Sequence, residues 1–112
     1  MIGKLTETEE KAVRAFNDEL RAFSGKNIKQ ILLFGSKARG DFNKESDLDL
    51  FILTGQVDHA LKRQTAKIVN KLLLKYEVLI SPRLIPEVRY AYQKRLETGF
   101  IKNVERDGIN IE

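Results

Sequence analysis

The sequence holds 112 residues, enough for one domain that buries a core without disulfides or a structural metal. Hydrophobic residues at 42% and charged residues at 32% exclude a disordered chain. With no cysteine and one histidine, His59, the chain has no thiolate site, cysteine nucleophile or multi-histidine centre of its own.

The net charge of +4 comes from 20 basic and 16 acidic residues, interspersed along the chain. This balance suits a phosphate-bearing ligand of any size and does not by itself call for nucleic acid as a direct ligand. The first residues, Met1 to Leu5, lack the apolar core of a secretion signal. No apolar run approaches the ~18 residues of a membrane span. A cytoplasmic protein without membrane contact is expected, with residues 1–112 forming a single domain.

In chain order, residues 7–23 read as a helix. Thr6 or Thr8 caps it, Glu7, Glu9 and Glu10 favour its positive end, and Val13, Phe16, Leu20 and Phe23 form an apolar stripe. Ile31 to Phe34 read as a buried strand, residues 35–46 as a polar turn and loop, and Asp47 to Leu53 as a second strand. Residues 57–75 form a helix with Leu61, Ile68 and Leu72 inward, Val69 and Leu73 beside them, and a lysine-rich face in solvent. Val78 begins a third strand that runs to about Ile85. Pro86 suits the first turn of a third helix, which carries Val88, Ala91, Tyr92 and Leu96 inward and ends before Gly99. Residues 100–112 alternate weakly and supply an edge strand or a docking arm. The expected class is α+β, a small mixed or antiparallel sheet with helices packed against it.

The chemistry concentrates in Gly35-Ser36-Lys37-Ala38-Arg39-Gly40 and Ser46-Asp47-Leu48-Asp49-Leu50. Side chains two apart on a strand share a face, so Asp47 and Asp49 converge while Leu48 and Leu50 enter the core. Two carboxylates held together repel, and a divalent cation relieves that conflict; magnesium favours one or two carboxylates plus phosphate oxygens. The plainer reading, a solvated strand surface, holds for a lone Asp-X-Asp. Upstream, Gly35 permits close approach of a ligand, Ser36 opens a short helix with its amides toward phosphate, and Arg39 brings a planar cation. Arg39 either neutralises a leaving group or braces the loop through Asp41 or Glu45.

A Gly-Ser pair followed by ten residues and Asp-X-Asp resembles the nucleotidyltransferase superfamily that includes DNA polymerase beta and kanamycin nucleotidyltransferase. The fuller pattern, Gly35-Ser36-X-Ala38-Arg39-Gly40 with Ser46-Asp47-X-Asp49-Leu50, is similar to its minimal, single-domain branch. Residues 76–82 and 101–109 also resemble minimal nucleotidyltransferases found as antitoxins beside HEPN toxins.

The resemblance implies ATP or another nucleoside triphosphate as substrate and two Mg2+ ions on Asp47 and Asp49. It implies phosphate contacts from Gly35 and Ser36, with Arg39 and Ser46 counted among the nucleotide-binding residues. It also implies a third carboxylate on the next strand, for which Glu77 is the acidic residue in reach, as metal ligand and general base. The reaction implied is attack of a hydroxyl on the α-phosphorus with loss of pyrophosphate. Three helices and the sheet use the whole chain, so the acceptor is expected on a partner or as a small diffusing molecule; the resemblance implies the first, a tyrosine of a HEPN ribonuclease toxin. The alternatives are a domain that neutralises a toxin by contact alone and, more remotely, an aminoglycoside nucleotidyltransferase.

Overall fold

The computed structural model describes residues 2, 4–40 and 47–111. The first helix, α1 (Glu7–Ser24), opens on a reciprocal cap. The Thr6 hydroxyl accepts the Glu9 amide at 3.1 Å, and the Glu9 carboxylate accepts the Thr6 amide at 2.9 Å, which satisfies two donors that the first turn leaves orphaned. Val13, Phe16 and Leu20 are buried as the stripe predicts, but Phe23 is exposed near the end of the helix, where a short 3-10 turn leads into the sheet.

Strand β1 (Ile28–Phe34) is followed by a one-turn helix, α2 (Ser36–Arg39), and by strand β2 (Leu48–Thr54), which runs antiparallel to β1. Helix α3 (His59–Tyr76) is the crossover that lets β3 (Ile80–Pro86) lie parallel to β2. Its buried residues are Leu61, Thr65, Ile68 and Leu72, and Leu73 is turned to solvent. The Asp58 carboxylate caps α3 by accepting the Leu61 amide at 2.8 Å.

The last third of the chain departs from the sequence expectation in three ways. Pro86 is the N-cap of α4 (Glu87–Arg95) rather than part of its first turn. Val88, Tyr92 and Leu96, expected inward, are 83%, 54% and 58% exposed. The space beneath α4 is already filled by Tyr90, Phe100 and Ile85 packed around Phe51, so the helix seats by Tyr90 and turns its other apolar residues out. Residues 100–107, expected to alternate, belong to helix α5 (Gly99–Asp107), capped by the Thr98 hydroxyl. Ile101 and Val104, three apart, make its buried side. The expected edge strand is confined to β4 (Ile109–Asn110), antiparallel to β1.

The sheet order is β3-β2-β1-β4, mixed and of four strands, in an α+β fold. Leu48, Leu50 and Ile52 join Ile31 and Leu33 under α1 and α3, forming the larger core. Phe34, Phe51 and Ile85 meet Ile101 and Val104 on the opposite face, forming the smaller one. Both faces are covered, which is why residues 31–34 and 50–52 are continuously apolar. Among the described residues no helix is long and apolar enough to cross a membrane.

Candidate active site

Asp47 and Asp49 sit at the start of β2, next to the turn that ends β1. Phe34 pairs with Asp49, so Gly35 follows directly beside the aspartate. Gly35 has φ 80° and ψ −159°, a region open essentially to glycine alone. A methyl group there would lie 2.5 Å from Asp49 Oδ2. Glycine thus serves both the turn and the close approach. The turn continues into α2, where the Ala38 and Arg39 amides return to the Gly35 carbonyl at 3.1 and 3.2 Å and the Gly40 amide to that of Ser36 at 2.9 Å. Ser36 and Lys37 therefore form the first positions of the helix.

Asp47 is exposed and Asp49 half-buried. Burial first, and repulsion from Asp47 second, push the Asp49 carboxyl above the usual carboxylate range; Arg83 and Arg39 pull the other way. A pair of carboxylates in such conflict has the donor chemistry that fits a divalent cation shared with phosphate oxygens. Arg39 is held by Asp107 of α5, its guanidinium 3.1 Å from Oδ2. Arg106 grips the same carboxylate at 2.9 and 3.0 Å. The Arg106 hydrogen bond, with burial opposing it and Arg39 assisting, keeps Asp107 below the usual range. Ser46, together with Asp41 and Glu45 as possible partners of Arg39, lies outside the described residues.

Glu77 is not where the third carboxylate was expected. It caps the C-terminus of α3 in the left-handed conformation, φ 57°, three residues before β3 begins. Its neighbours are Tyr76, Val78, Thr6, Glu9 and Lys37, around a separate cavity. In the parallel register the residue opposite Asp49 is Ser81. Among the described residues no three acidic or histidine side chains are grouped to hold a metal, and Glu77 lines that other cavity. Helix length decides this: α3 runs to Tyr76, and its cap consumes Glu77.

Two neighbours of the site had only weak sequence signals. Arg83, whose charge acts on Asp49, shares with Ser81 the period-2 face of β3. Lys37 is 1% exposed, its ammonium 2.6 Å from Glu9 Oε2. The cap motif at Thr6 makes Glu9 legible, but not its partner 28 residues away.

The description of the nucleotidyltransferase domain family matches residues 13–109. The chain belongs to the nucleotidyltransferase domain family. Two proteins of Methanocaldococcus jannaschii that carry the provisional name protein adenylyltransferase are similar to this nucleotidyltransferase domain. One is 40% identical over 100 residues, covering 89% of this chain and 94% of the relative. The other is 33% identical over 100 residues, covering 88% and 94%. In fold, the nucleotidyltransferase domain resembles a crystal structure of a toxin-antitoxin with AMP-PNP, at TM-score 0.59 and 16% identity over 92% of this chain and 72% of that one. It also resembles a structure provisionally described as a minimal nucleotidyltransferase, at TM-score 0.51 and 21% identity over 89% and 93%. The nucleotidyltransferase domain is an enzyme domain, and its chemistry is nucleotidyl transfer.

Proposed function

We propose that this domain transfers AMP from ATP to a hydroxyl of a partner protein, a tyrosine of a HEPN ribonuclease toxin, and acts as that toxin's antitoxin. The observation that carries the reading is the close seat of the Gly35 turn on Asp49, which joins a phosphate-binding turn to a metal-type carboxylate pair. The provisional name of the archaeal relatives and the toxin-antitoxin fold neighbour supply the choice of AMP and of a toxin partner.

Asp47 and Asp49 hold two magnesium ions in this reading. Bound there, the ions would supply charge neutralisation for the transfer. Gly35 and Ser36 hold the β- and γ-phosphates, Ser46 is counted among the nucleotide-binding residues, and Arg39, steadied by Asp107, adds positive charge to the leaving side. The acceptor hydroxyl attacks the α-phosphorus in line; its oxygen bonds to phosphorus, the bond to the bridging oxygen breaks, and pyrophosphate leaves. The hydroxyl proton passes to solvent, because Ser81 stands where a basic carboxylate would face Asp49. Fixed positioning and charge supply the acceleration.

Ser81 also favours a second reading, a domain weak in catalysis that silences the toxin by contact alone. Incubating the domain with labelled triphosphates and the protein encoded beside it, followed by mass spectrometry, separates the two. Enzymatic transfer works substoichiometrically, needs ATP and magnesium, and leaves an AMP mass on a toxin tyrosine after the antitoxin is removed. Protection only at equimolar amounts, without added mass, would leave contact as the mechanism.

A further inference from the structure

Helix α4 carries a feature that nucleotide transfer does not use. Val88, Tyr92 and Leu96 recur at intervals of four residues, all exposed, as one stripe along the helix. Beside the stripe opens a cavity of about 600 Å³ whose walls include Arg83, Ile85, Arg89, Tyr92, Leu96 and Phe100. Exposed apolar side chains gathered beside a cavity offer a surface to a partner.

Its charge is one-sided. Arg83 and Arg89 line the cavity, and among the described residues no carboxylate does. The Arg95 guanidinium, 5.7 Å from the centre of the Tyr92 ring, adds a cation at the rim. Lys94, by contrast, is answered by Glu105 at 3.4 Å. A basic rim around an apolar floor selects a partner with acidic residues around an apolar one.

The groove also borders the aspartates. Arg83 lies two residues beyond Ser81 on β3, on the face that Asp49 shares. Phe100 packs edge-on against Phe34, ring centres 5.6 Å apart, and Phe34 is the strand partner of Asp49. A chain lying in the groove would thus pass close to the aspartate end of the sheet.

We infer that this groove docks the acceptor, and that its occupant is an acidic protein segment with an aromatic or aliphatic anchor set against Tyr92, Leu96 and Phe100. The inference rests on the reading of the domain as a protein-modifying transferase. Arg83 and Arg89 bind the carboxylates of the segment, and the anchor fixes its register so that a nearby hydroxyl is presented to the transfer site.

The test needs no catalysis. Binding of a fluorescent copolymer of glutamate and tyrosine to the full chain is measured by anisotropy, with a copolymer of lysine and tyrosine as the control. The glutamate copolymer should bind and the lysine copolymer should not. Arg89→Glu and Leu96→Ser should each weaken binding by about tenfold. Lys67→Glu, the same charge reversal on the exposed face of α3, should leave it unchanged. Equal loss in Lys67→Glu would reduce the attraction to net charge and overturn the proposal, as would unaltered binding in Arg89→Glu or Leu96→Ser. Displacement of the copolymer by AMP-PNP would also overturn it, making the groove part of the nucleotide site. Failure of the transfer reading shows elsewhere, as a toxin left unlabelled by the wild-type domain.

Discussion

Gly35 and Asp49 are fitted so closely that one added methyl group on the glycine would stand 2.5 Å from the aspartate oxygen. The turn and the carboxylate are therefore one unit, assembled across the β1–β2 pairing. Gly35→Ala should destabilise the fold by on the order of 1–3 kcal/mol, the usual cost of forcing a side chain into such a backbone conformation. It should also lower triphosphate affinity by at least about tenfold, because Asp49 must move. Denaturant unfolding and AMP-PNP titration read the two effects. Wild-type values for both would show that the turn tolerates a side chain.

Asp47→Asn and Asp49→Asn should each abolish triphosphate-dependent transfer while the fold persists. Relief of the repulsion between the carboxylates, together with the half-buried place of Asp49, should give Asp49→Asn an apo melting temperature at or above that of wild type. Added magnesium should stabilise the wild type more than either variant. Normal transfer by either variant would remove the aspartates from the mechanism.

Ser81 and Glu77 separate the two candidate positions for a third carboxylate. Ser81→Asp places one opposite Asp49 and should raise the transfer rate by about tenfold or more, while lowering apo stability through repulsion. Glu77→Gly should leave the rate unchanged and raise stability by up to about 1 kcal/mol. The left-handed conformation costs a non-glycine residue about 1–2 kcal/mol, and the greater unfolded freedom of glycine offsets only part of that. Single-turnover rates with thermal melts test both. A rate lost in Glu77→Gly would restore that residue to the reaction.

The Lys37–Glu9 pair joins the phosphate turn to α1, and its loss should be felt in both places. Burial raises the Glu9 carboxyl, but the hydrogen bond from Lys37, joined by those from Thr6, outweighs it and leaves the group below its ordinary value of 4.5. A lowered folded value means the contribution is present above the unfolded value and is lost as pH falls through the folded one. Stability should thus decline below about pH 4.5 more steeply in wild type than in Glu9→Gln. Lys37→Met, which leaves Glu9 without its ammonium, should cost about 3 kcal/mol at neutral pH. Urea midpoints across pH check both. A Glu9→Gln curve parallel to wild type would remove the pair from the acid limb.

The parts of this protein that depend on neighbours in sequence are legible without the fold. The period of two puts Asp47 and Asp49 on one face, the glycine after an apolar run announces the turn, and Thr6 or Thr8 with Glu7, Glu9 and Glu10 announces the start of α1. Those signals reach the nucleotidyltransferase motif and the α+β class. Register and packing decided the rest. Ser81, not Glu77, meets Asp49 because α3 runs to Tyr76 and the parallel pairing begins at Ile80. Lys37 is buried because α1 brings Glu9 across the turn. Val88, Tyr92 and Leu96 face outward because Tyr90 and Phe100 already fill the space over Phe51. An apolar period along a helix tells which residues share a side; only the volume left by the other elements decides which side is buried.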